Sequence, residues 1–208
     1  DMDAWNRCGG TLPDLRGRKC YGGLDLSSTT DLCALALTFP PSMPNEPTWV
    51  LCFFWMPGEN LIKRGRRDRV PYDAWVRDGF IRTTPGNVID YDVIEAEITA
   101  LKDLYNIQEI AYDRWNASQV SQHLQGAGIV MVQMGQGFAS LNAPSKELLR
   151  LILSGGIAHG DNPVLRWMAD NVTAEEDAAR NIKPSKAKST QRIDGIVATV
   201  MAIGRQML

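Results

Sequence analysis

The run Tyr21-Gly22-Gly23-Leu24-Asp25-Leu26-Ser27-Ser28-Thr29-Thr30-Asp31, leading into Leu32-Cys33-Ala34-Leu35-Ala36-Leu37-Thr38, decides the fold. An apolar stretch, a compact set of hydroxyl residues and a second apolar stretch read as strand, turn, strand. Asp25 sits between Leu24 and Leu26, in a run that should be buried on at least one face. A carboxylate there loses hydration, at a cost of several kcal/mol unless a cation or hydrogen-bond donors compensate. Two readings follow from the stretch alone: a turn-forming Asp bonded to the Ser27, Ser28 and Thr29 groups, or a metal ligand.

Outward from this hairpin, residues 39 to 47 carry four prolines and must form a loop, and residues 48 to 55 (TWVLCFFW) read as a third, largely buried strand. Three strands on short connections make an antiparallel meander. Residues 1 to 19, with Gly9, Gly10, Pro13 and Gly17 and no period, are expected to be an arm or linker, and a start at Asp1 suggests a piece of a longer protein. Residues 56 to 87 read as a surface insertion of short polar helices, with a short strand at residues 80 to 84.

From Tyr91 the pattern turns to α/β. Val93, Ile94, Ala96, Ile98, Leu101 and Leu104 keep a helical period, residues 109 to 112 (EIAY) form a strand ending at Asp113, residues 118 to 124 a helix, and residues 129 to 134 (IVMVQM) another strand. Short strand–helix–strand connections imply parallel pairing. Helices are predicted over 145 to 153, starting near Pro144, over 163 to 169, and over 193 to 207. Residues 171 to 191 read as an exposed basic loop or hairpin.

With 44% hydrophobic and 22% charged residues, the chain has the composition of an ordinary globular domain. A net charge of −2 excludes a globally basic nucleic-acid binder. Two local clusters nevertheless concentrate cations: Lys63, Arg64, Arg66, Arg67 and Arg69, and then Arg180, Lys183, Lys186, Lys188 and Arg192. They are either solvated loops or a groove for a phosphate backbone. Cys8, Cys20, Cys33 and Cys52 show no zinc spacing; His123 stands alone as a surface or packing residue, and His159, beside Gly160 and Asp161, reads either the same way or as a phosphate contact facing the site. No run reaches the ~20 apolar residues of a membrane span. A reduced, cytoplasmic protein is expected.

Asp113 lies at the carboxyl end of a parallel strand, where α/β sheets place their functional crevice. Capping of the next helix is its other reading, for which Asn116 competes. Asp194, in Gln191-Arg192-Ile193-Asp194-Gly195-Ile196-Val197-Ala198, either complements a helix dipole or is aimed inward, because the small residues after it allow tight packing on a sheet. Three acids, each where an element begins or ends, point to a site for a hard divalent cation such as Mg²⁺, which takes oxygen ligands.

Four motifs carry a family resemblance: Gly22-Gly23-Leu24-Asp25-Leu26-Ser27, Tyr112-Asp113-Arg114-Trp115, Asn162-Pro163-Val164-Leu165-Arg166-Trp167-Met168, and Arg192-Ile193-Asp194-Gly195-Ile196-Val197-Ala198. From about Cys20 to Gly204 the sequence resembles the nuclease domain of the large terminase subunit of tailed bacteriophages, within the RNase H-like (retroviral integrase-like) superfamily. The resemblance implies an RNase H-like α/β fold over residues 20 to 208, with a mixed sheet and helices on both faces. It implies two Mg²⁺ or Mn²⁺ ions on Asp25, Asp113 and Asp194, with Asp31 as an accessory ligand. A metal-activated water would then cleave double-stranded concatemeric viral DNA with little sequence preference, in the host cytoplasm.

The basic clusters, Lys63 to Arg69 and Lys183, Lys186, Lys188 and Arg192, would hold DNA phosphates. The implied partners are a packaging ATPase domain of the same polypeptide, the portal protein and the small terminase subunit. No G-x-x-x-x-G-K-[ST] motif occurs, so the motor is not in this chain. A junction resolvase or transposase core would use the same acids, and the first hairpin also resembles the phosphate loop of actin-like and sugar-kinase folds. An adaptor that kept the fold without activity is a further alternative.

Overall fold

The computed structural model describes residues 1–27, 31–113 and 118–208, and the backbone alone at Ser118. Ser28 to Thr30 in the first turn, and Arg114, Trp115 and Asn116 after Asp113, lie outside the described residues.

The hairpin forms as the sequence predicts. Lys19–Asp25 (β1) pairs antiparallel with Cys33–Phe39 (β2), with Gly23 opposite Ala36 and Asp25 opposite Ala34. Thr48–Pro57 (β3) continues the meander, from Cys33 opposite Trp55 to Phe39 opposite Trp49. Every residue of β2 is buried, which is why CALALTF reads as an unbroken apolar run: it is central and covered on both faces. Alternation then divides the core. Ala34, Ala36, Val50, Cys52 and Phe54 face one layer, and Cys33, Leu35, Leu37, Phe39 and Trp55 face the other.

Residues 1 to 19 are more than a linker. Asp1 caps Met2–Arg7 (α1) through its carboxylate, and α1 buries Ala4 and Trp5 against the domain. The segment 56 to 87 is likewise partly built in. Its helices Leu61–Asp68 (α2) and Tyr72–Arg77 (α3) bury Gly65 and Tyr72, and Arg82–Thr84 (β4) pairs parallel with β3 at the sheet edge.

Tyr91–Leu104 (α4) leads to Asn106–Tyr112 (β5), which starts earlier than the sequence pattern indicates and runs parallel to β1. Ser118–Gly126 (α5) and Met131–Gln133 (β6) complete a parallel unit, and the main sheet runs β4-β3-β2-β1-β5-β6. Phe138–Ser154 (α6) begins seven residues before the expected start at Ser145. Pro144 stands inside it because burial of Leu141 and Pro144 outweighs the backbone hydrogen bond a proline forfeits. Ile157–Ala158 (β7) adds a short parallel pairing to β3 that the sequence does not reveal. Pro163–Asn171 (α7) is capped by Asn162, and residues 171 to 191 contain the hairpin Ala174–Glu176 (β8) and Ile182–Pro184 (β9).

The last helix, Asp194–Gln206 (α8), is buried from Asp194 through Ile203 and lies directly on β1 and β2. Gly23 makes this possible: a Cβ there would overlap the Ala198 carbonyl oxygen and crowd the Ala202 amide. With α1, α6 and α7, α8 covers one face of the sheet, while α4 and α5 cover the other. The fold is the α/β arrangement the motifs imply: antiparallel first strands, parallel later strands, and helices on both faces. Among the described residues no helix is long and apolar enough to cross a membrane.

Candidate metal centre

Asp25 ends β1, two residues beyond Gly23, so its side chain points to the same face of the sheet, toward α8. Asp194 is the first residue of that helix. The small residues that let α8 press onto β1 therefore bring Asp194 to Asp25. Asp113 follows β5. Leu24 pairs with Tyr112 in the parallel ladder, so Asp25, at the end of β1, and Asp113, just after β5, come next on neighbouring segments. Strand end, neighbouring strand end and helix start thus supply one acid each.

Asp25 is 5% exposed and Asp194 8%. Between them lies the ammonium of Lys186, with Nζ 2.7 Å from Asp25 Oδ2 and 2.9 Å from Asp194 Oδ1. The bond to Asp194 has hydrogen-bond geometry. Asp25 Oδ2 is buried, with the Lys186 ammonium as its ion-pair partner. Burial pushes the Asp25 carboxyl up to about 7; Lys186 opposes this, while the charges of Asp194 and Asp113 add to it. For Lys186, burial disfavours the charge, but Asp25 and Asp194 outweigh it and hold the ammonium above the ordinary lysine range.

The donor set is oxygen only, with Asp25 and Asp194 buried and Asp113 half-buried, and carries excess negative charge, which suits Mg²⁺ or Mn²⁺ rather than a softer ion. Asp25 and Asp194 are buried carboxylates that share one ammonium, so a divalent ion would compensate them more fully. Among the described residues no three His, Cys, Asp or Glu side chains already converge on one point. Lys186 occupies the space between two of the acids.

A cleft of about 440 Å³ opens beside the acids, lined by Leu26, Ser27, Asp31, Lys186, Arg192 and Asp194 among others. Asp31 does not join the acids directly. It pairs with Arg192 at 2.7 Å, and that bond is the main reason its pKa falls below the ordinary value. Arg192 also lies 3.8 Å from Asp68, to which Tyr72 donates a hydrogen bond, so the turn after β1, the end of α2 and the start of α8 are tied together.

The Arg67–Asp68 end of the first basic cluster therefore stands next to the cleft. Lys63, Arg66, Arg67 and Arg69 are exposed on or just after α2, Arg67 pairs with Asp68, and Arg64 bonds the Asn87 carbonyl. In the second cluster Lys183 and Lys188 both pair with Glu175 at 3.3 Å. His159 is elsewhere: it stacks on Trp5 and bonds the Trp5 carbonyl through Nε2, and burial lowers its pKa. Trp167 packs with Tyr72 and Trp75. Sequence reasoning missed the bond between Lys186 and the acids, for which the sequence carries no signal. It also missed the close approach at Gly23, which a Gly-Gly pair inside a strand does signal.

The family described as terminase large subunit, endonuclease domain, matches residues 1–208. The chain is 39% identical over 203 residues to the large terminase subunit of Enterobacteria phage HK97, covering 96% of this chain and 40% of that protein. It is 28% identical over 219 residues to protein YmfN of Escherichia coli K12, covering all of this chain and 48% of that one. The chain thus spans less than half the length of the curated relatives it matches. The crystal structure of the HK97 large terminase superposes with a TM-score of 0.90 at 38% identity, covering 99% of this chain and 43% of that one. The large terminase nuclease of thermophilic phage G20c with bound magnesium shares the fold, with a TM-score of 0.63 at 13% identity over 98% of this chain and 96% of that one. These findings favour the terminase reading over a resolvase, a transposase or an actin-like fold. The chain belongs to the endonuclease-domain family of terminase large subunits.

Proposed function

We propose that this chain is a Mg²⁺- or Mn²⁺-dependent endonuclease that cuts concatemeric duplex DNA during genome packaging, with little sequence preference. One observation carries the reading: a buried Asp25 carboxyl that shares a single ammonium with Asp194 and feels the charge of Asp113, which follows the neighbouring strand. Asp25, Asp113 and Asp194 would hold the ions, with Asp31 within the same cleft as an accessory acid. Two ions, when bound, supply Lewis acidity to the scissile phosphate and lower the pKa of the attacking water.

The protein's own contribution is positioning. The β1–β5 ladder fixes Asp25 and Asp113, the Gly23 contact fixes Asp194, and the Arg192 pairs fix the cleft mouth. Lys63, Arg66, Arg67 and Arg69 beside that mouth, with Lys183, Lys186 and Lys188, would bind the phosphate backbone without reading bases. In the full-length protein a packaging ATPase domain, the portal and the small subunit would deliver the DNA, within the host cytoplasm.

The test is supercoiled plasmid incubated with the purified chain in Mn²⁺, Mg²⁺ or EDTA. Nicked and linear products that vanish in EDTA and in Asp25→Asn and Asp194→Asn proteins support the proposal. Cutting that persists in EDTA removes the metal mechanism.

A further inference from the structure

Two buried carboxylates in contact distance of one ammonium are an unusual resting state for a site that is to receive a divalent ion. We infer that Lys186 is a built-in counter-cation: it offsets part of the charge of Asp25 and Asp194 in the metal-free protein and swings out when a divalent ion enters, so that ion loading releases a cation at the cleft mouth. This rests on the metal reading proposed above.

Four observations support it. First, the ammonium stands 2.7 Å from Asp25 Oδ2 and 2.9 Å from Asp194 Oδ1, so it and an ion shared by these oxygens exclude one another. Second, it is an incomplete substitute. It is a single charge shared between two buried carboxylates, Asp25 Oδ2 at 2.7 Å and Asp194 Oδ1 at 2.9 Å, so a divalent ion has something to gain that lysine does not supply. Third, the Lys186 side chain is 55% exposed although its tip is enclosed by the acids, so its stem can rotate into solvent without disturbing the core; Arg192, 20% exposed and held by Asp31 and Asp68, has no such freedom.

Fourth, the backbone that carries Lys186 is fastened. The Ser185 amide bonds the Thr173 carbonyl, both the amide and the hydroxyl of Ser189 bond the Ser185 carbonyl, and the Thr173 amide bonds Ser189 Oγ. The exchange is therefore one of side-chain position on a fixed turn. Once displaced, the ammonium remains within the cleft beside Arg192, where a DNA phosphate would meet it. The metal-free site thereby keeps part of its negative charge compensated, and the ion converts an internal pair into an outward-facing phosphate contact.

The experiment is isothermal titration of Mn²⁺ into the wild-type chain, Lys186→Met and Asp25→Asn, with thermal unfolding of each in EDTA and in Mn²⁺. Removing the competitor should tighten Mn²⁺ binding by Lys186→Met about tenfold or more, and make its metal-induced rise in Tm larger than that of the wild type. Should Lys186→Met fail to fold, the wild-type Lys186 Nζ signal in ¹⁵N NMR serves instead. It is expected to move from a protected, hydrogen-bonded resonance to a solvent-exchanging one on saturation with Mg²⁺. Equal or weaker Mn²⁺ binding by Lys186→Met, or an Nζ signal unmoved by bound Mg²⁺, overturns the role of Lys186 while leaving the metal site intact. Binding to neither wild type nor Lys186→Met overturns both.

Discussion

Replacing Asp25 with Asn should stabilise the metal-free protein, and should do so only above mildly acidic pH. Burial pushes the Asp25 carboxyl up to about 7, against an ordinary value of about 3.9. Ionising this group in the folded protein is therefore unfavourable once the pH exceeds 7. The sign follows from the direction. Between the unfolded and folded values the native protein holds a proton that the unfolded chain has lost. The stability this group contributes is therefore complete below about pH 4, declines as pH rises toward 7 and is gone above it. Asn does not titrate, so the decline should vanish.

Lys186 would lose one of its two carboxylates in that variant, which offsets part of the gain and leaves a net of roughly 1–3 kcal/mol at pH 8. For a chain of this size that is a rise in Tm of roughly 3–10 °C. The assay is thermal unfolding of both proteins in EDTA from pH 4 to 9; groups common to both cancel in the difference. With saturating Mn²⁺ the order should reverse, because only the wild type gains binding energy. A variant less stable than wild type at pH 8 in EDTA, or a difference that does not change with pH, refutes the argument.

Gly23→Ala drives a methyl group into the Ala198 carbonyl, and α8 cannot yield without leaving the sheet; a loss of at least about 2–3 kcal/mol is expected in urea unfolding. Arg192→Met removes the link between Asp31 and Asp68, and should cost about 1–3 kcal/mol in the same assay. Lys63→Ala with Arg66→Ala, both exposed, should weaken binding to all duplex sequences alike and reduce the salt dependence of log K by about two, read by fluorescence anisotropy across a KCl series. Unchanged salt dependence would separate α2 from the DNA path.

The central strands were legible because runs such as CALALTF and TWVLCFFW are β-compatible and too apolar to lie anywhere but between two layers. Helix α8 was legible through its periodic apolar residues. What escaped was decided by tertiary contact. Helix α1 is short and mostly polar, and only the burial of Trp5 makes it part of the domain. Strand β7 has two residues, too few for any period. The early start of α6 contradicts the usual effect of proline, because Pro144 packs near Gly204.

At the candidate site, the acids could be singled out because each falls at an element end. Their link through Lys186 could not. A lysine in a polar, lysine-rich loop has the same sequence signature whether it faces solvent or two carboxylates. Asp31 shows the converse: it lies close to Asp25 in sequence, yet its partner is Arg192.

The most direct measurement is an anomalous difference map from crystals of this chain soaked in Mn²⁺. The account predicts a peak within coordination distance of Asp25 and Asp194 and near Asp113, with the Lys186 ammonium withdrawn from between them. Full soaking with no peak at these carboxylates, or Mn²⁺ bound only elsewhere, would contradict it.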